Sequence, residues 1–307
     1  MGNCLRGSKN RRSTAGIAPY DNIRNSIVVD LRSGPEGCLL TTYIRFALEY
    51  KYASYRILPG YERPAVSIGT ETVSGGREAM LRLIESRFPE PRFKDSNESL
   101  EETTPLVVRV AWLQHSSIVV HLGCFVRWTE DLSTRGGLWS VDPAVGSPRM
   151  EVRKFEEFYS VLLEVMLEHA QMEERVIFPL LTKADPGLCR AANEEHARDL
   201  PIMNGIKEGI KSIGVMEIGS AAYKEALSGV ASRLKSLENR CKEHFEEEDK
   251  NLLPLMEALE HSKEQQKRVL KECVDVMEAT HSHLLNFFLQ ALLPQDAMHY
   301  LNYIMLN

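Results

Sequence analysis

The stretch His169-Ala-Gln-Met-Glu173-Glu-Arg-Val-Ile-Phe178-Pro179 returns about 75 residues later as His244-Phe-Glu-Glu-Glu248-Asp-Lys-Asn-Leu-Leu253-Pro254. In each copy an imidazole and a carboxylate stand four residues apart, which places them one turn apart on the same face of a helix. A proline follows ten residues after each histidine. Imidazole with carboxylate is a donor set suited to iron. Two such turns on facing helices let Glu173 and Glu248 bridge two metals while each histidine holds one. A single His-x-x-x-Glu carries little weight. Two copies with matching apolar-proline tails, each inside a long amphipathic pattern, carry far more.

Outward from these copies the pattern stays helical. Periodicity predicts helices over 106–131, 151–183, 187–213, 221–260 and 262–293, with a short one after Pro294. A Gly- and Pro-rich loop, 132–150, separates the first two. The charged, proline-containing stretch before Pro105 reads as a linker at 96–104, so the bundle is expected to occupy 105–307. This is a four-helix core with extra C-terminal helices.

These segments resemble the hemerythrin-like (HHE) domain, over roughly residues 105 to 300. The resemblance implies two further histidines. One follows a glutamate in a third helix, matched by Glu194-Glu195-His196; the other lies in the first helix, matched by Trp112-Leu-Gln-His115. His121 is a rival for the second place, but the apolar stripe through Ile118, Leu122 and Val126 favours His115. The implied cofactor is a non-haem di-iron site on His115, His169, Glu173, His196, His244 and Glu248. Oxygen carriers of the family place another histidine four residues after the third-helix ligand. Here that residue is Leu200, which implies fewer nitrogen ligands on one iron and an open position for water, O2 or NO. Asp249, five residues after His244, is an alternative bridge to Glu248. Taken singly, Glu173, Glu174 and Glu246 to Glu248 read as a solvated acidic face. His261, His281, His283 and His299 lack the motif and read as surface or core.

Ahead of the bundle, strand and helix signals give the order β-α-β-β-β-α over 21–95. This resembles a thioredoxin-like module of the glutaredoxin or glutathione-transferase N-terminal kind. Cys38 stands at the first helix start as a candidate thiol, and Pro64 stands at the cis-proline place before the third strand. A helix N-terminus favours a thiolate, which makes Cys38 a nucleophile candidate. The family's proline after the cysteine is Leu39, and no second cysteine lies within three residues. A structural or partner-binding module is the alternative.

Residues 1–20 read as a disordered tail. Gly2 behind the initiator Met, with Cys4 beside it, matches N-myristoylation plus palmitoylation, although Arg6 occupies the place where a hydroxyl residue is usual. A single acyl chain binds membranes marginally, and Cys4 or the basic cluster Arg6, Lys9, Arg11 and Arg12 offers the second attachment.

With 37 Lys and Arg against 43 Asp and Glu, the net charge of −6 argues against nucleic acid as a partner. The six cysteines show no framework spacing, and no apolar run reads as a membrane span or secretory signal.

The chain is thus expected to be an α+β multi-domain protein, with a thioredoxin-like α/β module followed by an all-α hemerythrin-like bundle. The expected function is iron-dependent sensing or binding of O2, NO or redox state at the cytoplasmic face of a membrane, with cytosol or nucleus as alternatives. An oxidoreductase acting on O2, NO or peroxide, and a metal-free tethered scaffold, are the competing readings. A protein partner would meet the thioredoxin-like module.

Overall fold

The computed structural model describes residues 27–93, 104–140, 142, 145–183 and 185–305. They form two compact units, one within 104–291 and the other comprising the sheet region with the C-terminal residues from Leu292. Gly2, Cys4 and the whole 1–20 tail lie outside the described residues, as does nearly all of the linker.

In the smaller unit the elements are β1 (Val28–Arg32), α1 (Leu39–Tyr50), β2 (Ser54–Leu58), β3 (Ala65–Ile68), β4 (Glu71–Ser74) and α2 (Arg77–Arg87). The sheet runs β2-β1-β3-β4, with β1 parallel to β2 and antiparallel to β3, and β3 antiparallel to β4. That is the β-α-β-β-β-α order expected of a thioredoxin-like module. A parallel β1–β2 pair needs a crossover, which α1 provides. β3, in the interior of the sheet, is buried along its whole length as Ala65, Val66, Ser67 and Ile68.

Two details depart from expectation. Among the described residues the cis peptide bond is Glu90–Pro91, so Arg63–Pro64 takes the trans form that X-Pro bonds ordinarily favour. The last long helix, α10 (Pro294–Ile304), also groups with this unit rather than with the bundle. It packs on α1, burying Met298, Leu301 and Ile304, and Arg77 Nη1 donates to Asn302 Oδ1 at 2.5 Å.

The larger unit is built from α3 (Leu106–Arg135), α4 (Pro148–Met172), α6 (Arg190–Val215) and α7 (Ala221–Glu247). Neighbours pack as α3–α4, α4–α6, α6–α7 and α7–α3, which closes a four-helix ring. Ser147 and Ser220 cap α4 and α7 by accepting from the Met150 and Tyr223 amides. Gly136, in the left-handed region, ends α3. The core at one end gathers Val107, Val108, Ala111, Met172, Ile177, Phe178 and Leu253 from several helices.

The two motif-bearing helices do not run straight on as α-helix. α4 widens into a π turn at Glu173–Ile177 before a short α5 (Phe178–Thr182), and α7 widens at Glu248–Leu252 before a 3-10 stretch, Leu253–Leu259. Pro179 and Pro254 explain both. A proline has no N–H to donate and its ring crowds the carbonyl four residues back. The ladder slips instead to five-residue bonds, with the Phe178 amide donating to Glu173 O and the Leu253 amide to Glu248 O.

The continuous helix expected over 262–293 is broken. α8 (Lys263–Val276), started by a Ser262–Gln265 capping box, gives way to turns before α9 (Leu285–Leu289). The Ala279 and Thr280 amides donate to the Glu168 carboxylate at 2.9 and 2.8 Å, so a side chain from α4 takes donors that a helix would have used.

His121 is buried here. Its Nε2 donates to the Phe287 carbonyl at 3.0 Å and its ring lies flat on Phe287. Burial brings its pKa down to about 4. An unfolded histidine titrates near 6.5, so between these values the unfolded chain takes the proton first and stability falls as pH falls. The loss amounts to roughly 3 kcal/mol across that window. His121→Gln is expected to flatten this part of the pH profile, read by urea unfolding at pH 7, 5.5 and 4. An equally steep decline in the variant would contradict the assignment.

Candidate metal centre

The π turns place Glu173 and Glu248 opposite each other between the four helices. Glu173 is completely buried and Glu248 nearly so. Around them stand His115 of α3, His169 of α4, His196 of α6 and His244 of α7. His115 Nε2 lies 3.3 Å from Glu173 Oε1 and 3.5 Å from Glu248 Oε2, and His169 Nε2 lies 3.3 Å from Glu173 Oε1. On the other side, His196 Nε2 lies 3.5 Å from Glu173 Oε2 and His244 Nε2 lies 3.4 Å from Glu248 Oε1. Each glutamate thus turns one oxygen towards the His115 side and the other towards the His196–His244 side.

The outer ring nitrogens are engaged as consistently. His115 Nδ1 meets Asp249 Oδ1 at 2.8 Å, His169 Nδ1 meets Gln114 Oε1 at 3.0 Å, His196 Nδ1 meets Glu174 Oε1 at 3.0 Å, and His244 Nδ1 meets Glu195 Oε2 at 2.7 Å. All four partners are acceptors, so in neutral rings the proton sits on Nδ1 and the Nε2 lone pair points inward. Lone pairs then face carboxylate oxygens, and His196 Nε2 faces His244 Nε2 at 3.1 Å, arrangements that repel unless a metal ion or an added proton lies between. His169 Nε2, Glu173 Oε2 and both Glu248 oxygens are buried with no hydrogen-bond partner. Orphaned buried acceptors of this kind could be satisfied by a metal ion.

The electrostatics repeat the point. Burial, followed by the charge of Glu173, pushes the Glu248 carboxyl up to about 11. Burial also works against Glu173, yet His169 and His115 hold it well below the ordinary carboxylate range. His115 is raised, since Asp249 and Glu173 outweigh its burial, while burial lowers His169 and His244. Two carboxylates at this spacing do not both ionise unless positive charge joins them.

All six residues singled out from the sequence as ligands are therefore brought together. Glu173, His196, His244 and Glu248 form one group able to hold a metal ion, and His115, His169 and Glu173 form another. The rival His121 faces Phe287, and Asp249 Oδ1 lies against the outer nitrogen of His115. The outer partners Gln114, Glu174 and Glu195 were not assigned from sequence. Their signal is adjacency, for each directly precedes or follows a ligand. In the smaller unit Cys38 precedes α1, half-buried, and a Cβ built on Gly34 would meet both its Sγ and the Pro64 ring at 3.1 Å. Cys38 and Pro64 thus flank the same glycine.

Residues 114–256 match the family model of the hemerythrin HHE cation binding domain, a span that contains all six inner residues and their four outer partners. No curated protein matches the chain, and no solved structure matches it. No helix among the described residues is long and apolar enough to cross a membrane.

Proposed function

We propose that the bundle, whose residues 114–256 match the hemerythrin HHE cation binding domain, holds two iron ions and reports on iron, O2, NO or redox state. His115 and His169 would hold one ion and His196 and His244 the other, with Glu173 and Glu248 between them. The observation that carries this reading is the set of four inward Nε2 atoms turned to two buried glutamates, of which Glu173 Oε2 and both Glu248 oxygens have no hydrogen-bond partner. Four imidazoles with two carboxylates, a nitrogen-oxygen set without thiolate, suit iron. Bound there, a pair of irons supplies reversible attachment or one-electron chemistry for a small molecule.

The protein residues supply the response. The ligands come from four different helices, so occupancy ties those helices together and metal affinity is coupled to bundle packing. A sensor needs that coupling, whereas a catalyst needs turnover in addition. Phe245, stacked on His115 at 4.1 Å between ring centroids, and Phe178, stacked on His196, wall the site with apolar surface. The acyl-type tail lies outside the described residues and adds nothing to the reading of the bundle.

Elemental analysis of protein purified without oxygen is expected to give about two irons per chain, with charge-transfer absorption appearing in air. A His169→Ala, His244→Ala double variant is expected to lose both signals. Wild-type protein that carries zinc alone, or takes up no metal when supplied with ferrous iron, would overturn the proposal.

A further inference from the structure

The centre is built as an approximate repeat. Gln114-His115 on α3 corresponds to Glu195-His196 on α6, and His169, Glu173 and Glu174 of α4 and its π turn correspond to His244, Glu248 and Asp249 of α7 and its π turn. The outer contacts follow the same rule in both halves. The residue before the α3 or α6 histidine serves the histidine of α4 or α7, as Gln114 does for His169 and Glu195 for His244. The residue after each shared glutamate serves a histidine of α6 or α3, as Glu174 does for His196 and Asp249 for His115. Three of these four acceptors are carboxylates. The repeat is broken at one place, where Gln114 stands opposite Glu195.

An acceptor on Nδ1–H raises the donor strength of Nε2, and a carboxylate does so more than a neutral amide because its charge also favours the cation. The His196–His244 position has two outer carboxylates, Glu174 and Glu195. The His115–His169 position has one, Asp249, beside the Gln114 amide. A separate observation points the same way. Glu173, His196, His244 and Glu248 bring four donor atoms within 4.8 Å of one another, whereas among the described residues the His115–His169 group of that tightness contains only Glu173 besides the two histidines. Exposure sets Gln114 apart from the other three: it is completely buried, while the side chains of Glu174, Glu195 and Asp249 are 42%, 35% and 35% exposed.

We propose that the two metal positions are unequal, the His196–His244 position filling first and tightly and the His115–His169 position filling second and weakly, with Gln114 as the positioning residue that sets the difference. This rests on the reading of the bundle as a two-iron domain. It identifies the His115–His169 position as the one whose occupancy follows the free iron concentration, while the other stays filled and keeps the helices together.

The test is an anaerobic titration of the chelator-stripped full chain with ferrous iron against a competing chelator. Two steps are expected, with dissociation constants about 10- to 100-fold apart, the range over which outer partners tune metal affinity. Gln114→Glu is expected to tighten the weaker step and draw the two together, a gain that a purely packing role for Gln114 would not produce. Should that buried charge prevent folding, Glu195→Gln makes the reciprocal change at a half-exposed place and is expected to weaken the tighter step by a similar factor. Two equal steps in the wild type, or variants that fold yet leave both steps unmoved, would overturn the inequality with the two-iron reading intact. No binding at all would overturn the two-iron reading, and this inference with it.

Discussion

Glu173→Ala protein is expected to retain almost no iron, against about two per chain in the wild type and about one in His169→Ala. Glu173 is the residue that both groups of donor atoms share, with one oxygen near His115 and His169 and the other near His196. Its loss removes a donor from each position at once and leaves Glu248 without the neighbour that completes the cage. His169 belongs to one of the two groups only. The contrast between the two variants therefore separates a shared ligand from a private one. Iron-to-protein ratios by elemental analysis, on protein shown by circular dichroism to remain helical, decide it. Equal iron in Glu173→Ala and wild type would exclude Glu173 from the centre.

The second large effect is on stability. Stripping the metal is expected to lower the thermal midpoint of the bundle by roughly 8–16 °C. A ligand bound at a thousand times its dissociation constant stabilises by about 4 kcal/mol, and each kcal/mol moves the midpoint of a domain this size by about 2–4 °C. The structural reason is the pair of buried carboxyls. Without a cation, Glu173 and Glu248 face each other in a site where burial and the Glu173 charge oppose ionisation of Glu248, and Glu174, Glu195 and Asp249 add negative charge around the histidines. Calorimetry with and without chelator measures the shift. The His169→Ala, His244→Ala variant is expected to show none, and a wild type equally insensitive to chelator would mean that the site contributes nothing to folding.

How much of this was legible in the sequence depends on the range of the interactions. The His-x-x-x-Glu pairs are local, since four residues bring two side chains onto one turn, so His169, Glu173, His244 and Glu248 could be read directly. His196 could be read from its neighbouring glutamates and His115 from an apolar stripe, with the family resemblance supplying the reason to look. The element order β-α-β-β-β-α followed from alternating strand and helix signals, whereas the strand order within the sheet is tertiary and was not read.

What could not be read is tertiary. Gln114, Glu174, Glu195 and Asp249 each serve a histidine on a different helix, so adjacency in the chain gave no hint of the pairing. Pro179 and Pro254 marked a disturbance in their helices, but not that it would take the form of a π turn aiming a glutamate inward. The break after α8 depends on Glu168 reaching across from α4. The return of α10 to the sheet unit depends on what Met298 and Leu301 bury against, which helical periodicity alone leaves open. The trans bond before Pro64 shows a resemblance in topology that does not extend to every backbone detail.

The central claim is that two irons share Glu173 and Glu248. The most direct measurement is anomalous diffraction at the iron edge from crystals of the iron-loaded protein. The account predicts two separate peaks, one between His115 and His169 and one between His196 and His244, each in contact with both glutamates. A single peak, or density at any other cluster of side chains, would contradict it.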